Sequence, residues 1–125
     1  MPLAYLATPY QKFHSGRQGA FLEACKLASR LLSGGVQVFS PIAHGHPIAT
    51  FGENCSMTET DWLDYDELLM AHCDCLIVAM LPGWEESAGI RHEIRFFENA
   101  NKPIFEVNVE TLTLTKREPQ KLRAV

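Results

Sequence analysis

The sequence predicts a three-layer α/β fold on a parallel sheet, and two observations carry the prediction. The first is the unbroken apolar run Cys75 to Leu81, too short to span a membrane and of the length of a strand covered on both faces, as at the centre of a parallel sheet. The second is alternation. Short apolar runs at Leu3–Thr8, Val36–Ser40, Cys75–Leu81 and Pro103–Val107 are separated by segments whose apolar residues recur at helical spacing. Strands alternating with helices in this way build a parallel sheet with right-handed crossovers.

Taken in order, Leu3–Thr8 reads as the first strand, stopped by Pro9. A loop runs on through Gly19. Its Ser15-Gly16-Arg17-Gln18-Gly19 turn could hold an anion through backbone N–H groups helped by Arg17, and a plain connecting loop accounts for the same residues. Phe21, Ala24, Cys25, Ala28, Leu31 and Leu32 then mark the first helix, which Gly34-Gly35 ends. After the second strand, Ser40 to Ile48 reads as a loop just past a strand end. His44 and His46 there are either cleft residues that donate hydrogen bonds or carry protons, or loop histidines bonded to backbone. Gly52 to Met57 continues as loop.

Thr58 with Asp61 resembles a capping box, and Trp62, Tyr65, Leu69 and His72 continue a helix. Asp61, Asp64 and Glu67 belong to its solvated face, whereas Asp66 lies beside the apolar stripe and alone of these points toward a cleft. Beyond the central strand the chain breaks at Pro82-Gly83, Ser87 is an N-cap, and Ala88 to Ala100 forms a helix with Ile90, Ile94 and Phe97 on one arc. Glu93 falls inside that arc. An unpaired carboxylate there is costly to desolvate, so Glu93 pairs with an Arg such as Arg91 or Arg95, snorkels out from the core edge, or sits functionally at the mouth of a cleft, one helical turn past the carboxyl end of a strand. Asn101-Lys102 turns the chain into the fourth strand. The polar stretch from Asn108 onward is a tail in which Thr111–Thr115 can add an edge strand, and the last residues fray. The whole is one domain, 1–125, with a Rossmann/flavodoxin-like parallel sheet of four to five strands.

At 125 residues such a chain buries roughly two-thirds of its unfolded surface and has room for one core. Its formal charge of −4 disfavours a nucleic-acid binder that works by counterion release, though a small anion remains a fitting ligand. The opening residues lack the basic and extended apolar regions of a signal peptide and nothing reaches transmembrane length, which points to the cytoplasm and away from membranes. Cys25, Cys55, Cys73 and Cys75 form no CxxC unit, and are expected as free, mostly buried thiols. A zinc site from Cys73, Cys75, His44 and His46 would need a C-x-C and H-x-H spacing that structural zinc sites do not use, so no metal is expected. Neither a GxGxxG nor a Walker lysine motif is present.

Tyr5-Leu6-Ala7-Thr8-Pro9, Asp74 opening the central strand, and Ser87-x-Gly89-x-x-x-Glu93 together resemble the nucleoside 2-deoxyribosyltransferase superfamily. That superfamily includes base-exchanging transferases and hydrolases of 2′-deoxynucleoside 5′-monophosphates. Tyr-Leu-Ala-Thr-Pro-Tyr, Ser-Pro-Ile-Ala-His-x-His-Pro-Ile and Gly-Trp-Glu-Glu-Ser-x-Gly-Ile-x-His-Glu-Ile are similar to a small bacterial and phage branch of it, over most of Leu3 to Val107. The resemblance implies that Glu93 is the nucleophile holding a covalent deoxyribosyl intermediate, that Tyr5 orients it by a hydrogen bond, and that Asp66 contacts the base and assists its departure by protonation. Ser87 stands where the transferases carry an aspartate and the monophosphate hydrolases a phosphate-binding serine, which favours a nucleotide. Thr8, Pro9, Asp74 and Gly89 are carried with these motifs as substrate-binding positions.

Three departures stand beside the matches. Trp84-Glu85-Glu86 lengthens the loop before Ser87 and sets two acids near it, and Pro9 to Gly19 replaces a glycine-rich phosphate turn. His44 and His46 inherit no role, and Trp84 either stacks on a base or packs elsewhere. The expected activity is therefore cleavage or exchange of the N-glycosidic bond of a 2′-deoxynucleoside or its 5′-monophosphate, with a small-molecule nucleoside or nucleotide as partner and without a cofactor. By resemblance the chain forms a homo-oligomer. The alternative is a non-catalytic nucleotide-binding or sensing module on the same fold, and a purely structural subunit is the remaining reading.

Overall fold

A computed structural model describes residues 2–118. Its centre is a five-stranded sheet in the order β2-β1-β3-β4-β5, with β1 Ala4–Ala7, β2 Val38–Phe39, β3 Cys75–Ala79, β4 Ile104–Val107 and β5 Leu114–Lys116. The first four strands run parallel and β5 pairs antiparallel with β4. β3 is buried along its whole length, as its unbroken apolar run requires. The chain passes from β1 out to β2, then back across to β3 on the other side. That reversal places a topological switch point between β1 and β3, where the carboxyl ends of the strands open a crevice.

Four α-helices cover the sheet: α1 Gly16–Ser33, α2 Pro41–Phe51, α3 Glu59–Ala71 and α4 Ala88–Asn99. One face carries Leu6, Ile77 and Ala79 against Ala20, Leu27 and Leu31 of α1. The opposite face carries Tyr5, Leu76 and Val78 against Met70 of α3 and Ile90, Ile94 and Phe97 of α4. The expected caps form. Thr58 and Asp61 close a capping box on α3, and the Ser87 hydroxyl accepts the Ile90 N–H at 3.2 Å to start α4. The three-layer αβα architecture is thus the one the strand–helix alternation predicts.

Three local expectations are corrected. The segment Ser40 to Ile48, read as a histidine-bearing loop, falls in α2 from Pro41 onward: Ser40 caps it by accepting the Ala43 N–H at 3.1 Å, and Pro41 occupies the first turn, where its missing N–H costs nothing. Pro47 lies inside the helix and removes one bond. Packing compensates, since Gly45 lies so close to α3 that a Cβ there would meet the Trp62 ring at 3.3 Å. α1 begins at Gly16, so the loop ends earlier than Gly19. The edge strand is β5 at Leu114–Lys116 rather than Thr111–Thr115, and the expected fraying of the last residues falls on 119–125, outside the described residues. Trp84–Glu86 form a 3₁₀ turn between β3 and α4. Among the described residues no helix is long and apolar enough to cross a membrane.

If α2 depends on its cap, Ser40→Ala lowers unfolding free energy by about 1 kcal/mol, within a range of about 0.5–2. Urea titration checks this, and an unchanged midpoint would show that tertiary contacts alone hold the segment.

Candidate active site

Tyr5 lies in the middle of β1, opposite Phe39 of β2 and Leu76 of β3, with its side chain fully buried. Its ring sits between Phe39, at 5.9 Å between centroids, and Phe97 of α4, at 6.1 Å. The hydroxyl is enclosed and makes no hydrogen bond of normal geometry among the described residues. The groups it faces are carboxyls. Glu93 comes from the second turn of α4 and Asp66 from the middle of α3, and both act on the phenol electrostatically. α3 and α4 pack on the same face of the sheet as Tyr5, which brings one acid from each helix to its hydroxyl.

The electrostatics follow from enclosure. Glu93 is half-buried, and burial together with the nearby Asp66 charge pushes its pKa up to about 8. The neighbouring Tyr5 hydroxyl opposes this shift without cancelling it. Burial raises Asp66 to about 6. The Tyr5 hydroxyl is driven above its ordinary value by burial, then by Glu93 and Asp66, and stays protonated. Neither Arg91 nor Arg95 forms an ion pair with Glu93 among the described residues, so the structural alternative of an Arg-paired core glutamate does not hold. Between about pH 6 and pH 8 the carboxyl pair holds one proton, and its two titration steps belong to the pair.

A contact that sequence reasoning missed fixes the spacing of the two acids. His92 Nε2 meets Glu67 Oε2 at 2.8 Å, bridging α4 to α3. Each partner is the chain neighbour of a candidate catalytic acid, His92 of Glu93 and Glu67 of Asp66. Helical patterning assigned Glu67 to the solvated face; the only hint in the sequence was the adjacency itself. Thr8 was expected in the site as part of a motif. Its Oγ1 at the carboxyl end of β1 is buried and unpartnered, with buried Pro9 following.

Other expected site residues separate from this centre. Asp74 lies at the amino end of β3, where its carboxylate accepts the Leu3 N–H at 2.7 Å, so it closes the opposite edge of the sheet and is not a substrate residue. His46 is buried between α1 and α2. Its Nδ1 lies 2.6 Å from the Tyr10 hydroxyl and its Nε2 lies 2.9 Å from Gln18 Oε1. With Nε2–H donating to Gln18, the ring is neutral and accepts from Tyr10, and burial, reinforced by Arg17, lowers its pKa. This packing role replaces the expected cleft role. Arg17 is held by Gln11 and lies over the Tyr10 ring at 5.6 Å, which engages the guanidinium proposed for an anion. His44 is exposed and bonds Tyr65.

Trp84 is half-buried in an open groove of about 470 Å³ along the flank of α4, lined by Ile90 and Ile94 together with Arg91, Arg95, Glu98 and Arg117. Tyr5, Asp66 and Glu93 do not line it, so Trp84 is displaced from the carboxyl pair. Ser87 and Gly89 stand at the start of α4. The Ser87 hydroxyl accepts in its cap and retains its own proton for a further acceptor, and a Cβ on Gly89 would meet only Ser87 Oγ, at 3.8 Å. Cys73 and Cys75 enter the core at the amino end of β3, while Cys25 is half-buried and Cys55 exposed. Among the described residues no three His, Cys, Asp or Glu side chains are grouped to hold a metal ion.

The raised pKa of Glu93 makes the site a stability liability of defined sign. The folded state binds the proton more tightly, so its stabilising effect is full below the ordinary carboxyl value and is lost as pH rises through about 8. Glu93→Gln therefore stabilises the fold at about pH 9 by roughly 2–4 kcal/mol, several degrees in Tm, and changes little near pH 4. Thermal melts across pH check this; equal shifts at both ends would mean that Glu93 is not enclosed.

No curated protein matches the chain. Residues 3–109, which hold every strand but β5 and the whole Tyr5–Asp66–Glu93 centre, match the family described as a domain of unknown function, DUF1937. The chain belongs to the DUF1937 family.

Proposed function

We propose that the protein cleaves or exchanges the N-glycosidic bond of a 2′-deoxynucleoside or 2′-deoxynucleoside 5′-monophosphate. The observation that carries this reading is the convergence of two carboxyls, Glu93 from α4 and Asp66 from α3, on the buried Tyr5 hydroxyl, where burial raises the pKa of both acids. An oxocarbenium-like centre needs one ionised carboxylate at the anomeric carbon and one acid at the leaving nitrogen. A singly protonated pair is that charge state.

In the first step a Glu93 oxygen bonds to C1′ while the C1′–N bond breaks. Its electrons go to the base nitrogen, which takes a proton from Asp66. Tyr5 donates to Glu93 and orients it. In the second step water or the N–H nitrogen of a second base, either one giving up its proton to Asp66, attacks C1′ as the C1′–O bond to Glu93 breaks. Reaching the reactive arrangement requires the shared proton to sit on Asp66 at the moment of attack, whereas burial by itself favours it on Glu93. Ser87 and the first amides of α4 offer donors to a 5′-phosphate, with Thr8 and Pro9 bordering the sugar and the acids Glu85 and Glu86 opposing excess anionic charge. No cofactor enters these steps. A cytoplasmic homo-oligomer completes the proposal.

A non-catalytic nucleotide-binding or sensing module is the second reading, and one observation favours it: a Glu93 that is protonated at neutral pH is a poor nucleophile.

Base release measured by chromatography separates the two. Wild type is expected to release base from a deoxynucleoside or its monophosphate, with kcat/KM bell-shaped between limbs at about pH 6 and pH 8. Glu93→Gln should abolish release and Asp66→Asn should lower it by roughly 10²–10⁴-fold. Ligand binding without release at any pH would establish the module instead.

A further inference from the structure

We propose that the ledge formed by His44 of α2 and Tyr65 of α3 receives the planar heteroaromatic base of the substrate, with His44 reading the base's hydrogen-bonding edge. This rests on the reading that Glu93 and Asp66 break an N-glycosidic bond. The ledge is continuous with that centre through a row of rings. Tyr5 meets Phe39 at 5.9 Å, Phe39 meets His44 at 5.5 Å, and His44 stacks on Tyr65 at 6.0 Å with only 24° between planes. Tyr65 and Asp66 share one turn of α3, so the ledge and the acid that must protonate the departing base are carried by the same helix.

The row leads from fully buried Tyr5 to exposed His44, a gradient that suits a ligand whose sugar is enclosed and whose base extends outward. Stacking on such rings accepts any base, because every base has a π-face. Selection needs an edge contact, and His44 can supply it. Its Nε2 is 2.9 Å from the Tyr65 hydroxyl, while Nδ1 has no partner among the described residues. If Tyr65 donates to Nε2, Nδ1 carries the proton and offers a donor; if Tyr65 accepts, Nδ1 is an acceptor. The imidazole is thereby held in place with one nitrogen open to a ring nitrogen or exocyclic group. Two features keep the ledge rigid: Gly45 lets α2 approach Trp62 without a side chain between, and Trp62 packs edge-on against Tyr65 at 6.0 Å. Ile48 and Phe51, 43 % and 70 % exposed, extend the same face of α2 away from the centre, so a second copy of the chain is the competing occupant.

Calorimetric titration of adenine, guanine, hypoxanthine, cytosine and thymine into wild type, His44→Ala, His44→Asn, Tyr65→Phe and Glu93→Gln tests the proposal, with sedimentation and thermal melts as controls. At least one base should bind wild type and Glu93→Gln with similar affinity. His44→Ala should weaken that binding by roughly tenfold or more, His44→Asn should recover part of it, and Tyr65→Phe should change the order of preference among bases. With a cleaved deoxynucleoside, His44→Ala should raise KM more than it lowers kcat. The proposal is overturned if His44→Ala folds and binds bases as wild type does, if it alters only the oligomeric state, or if a wild type that cleaves deoxynucleosides binds no free base. If wild type cleaves none, or Glu93→Gln turns over normally, it is the N-glycosidic reading that fails.

Discussion

The enclosure of the Glu93 carboxyl is the constraint on which the rest of the site depends. A carboxylate on the apolar arc of α4 loses part of its water, and among the described residues no arginine pairs with it. Its surroundings are a tyrosine that cannot ionise and a second acid that is itself half-desolvated. The outcome is a proton held by the pair near neutrality. A fold selected for stability alone would place an apolar side chain at this position, as α4 does at Ile90, Ile94 and Phe97.

The scaffold makes that placement possible. Parallel β1 and β3 diverge in their connections, leaving the crevice at their carboxyl ends, and α3 and α4 deliver one acid each from the same side of the sheet. The His92–Glu67 contact ties these helices one residue away from each acid. It is partly exposed and contributes little as a surface ion pair, so its value lies in register. α2 closes the other flank. It brings His44 toward the centre and commits His46 to the packing of α1, which separates two histidines that lie two positions apart in sequence.

Much of this was legible in the sequence, and the failures share a cause. The apolar run at Cys75–Leu81 placed the central strand, and the arc of Ile90, Ile94 and Phe97 placed Glu93 toward the sheet, because both are consequences of periodicity within one element. Asp66 was legible for the same reason. What sequence could not show is how elements meet. α2 was read as a loop because Pro41, Gly45 and Pro47 are turn residues; a Ser40 cap and close packing on Trp62 overrode those propensities. Asp74 was placed in the site from a motif, yet its position before β3 puts it at the amino end of the sheet, where it bonds Leu3. Trp84, carried by the 3₁₀ turn, packs against the core at its edge and lines the groove beside Ile90 and Ile94, away from the carboxyl pair.

The measurement that tests the enclosed pair most directly is a carbon-detected NMR titration of the side-chain carboxyls of Glu93 and Asp66 in the ligand-free protein. The account predicts a Glu93 midpoint near 8 and an Asp66 midpoint near 6, with Asp66→Asn moving Glu93 downward because it removes the neighbouring charge. Midpoints in the ordinary carboxyl range for both residues, unaffected by substituting the other, would contradict it.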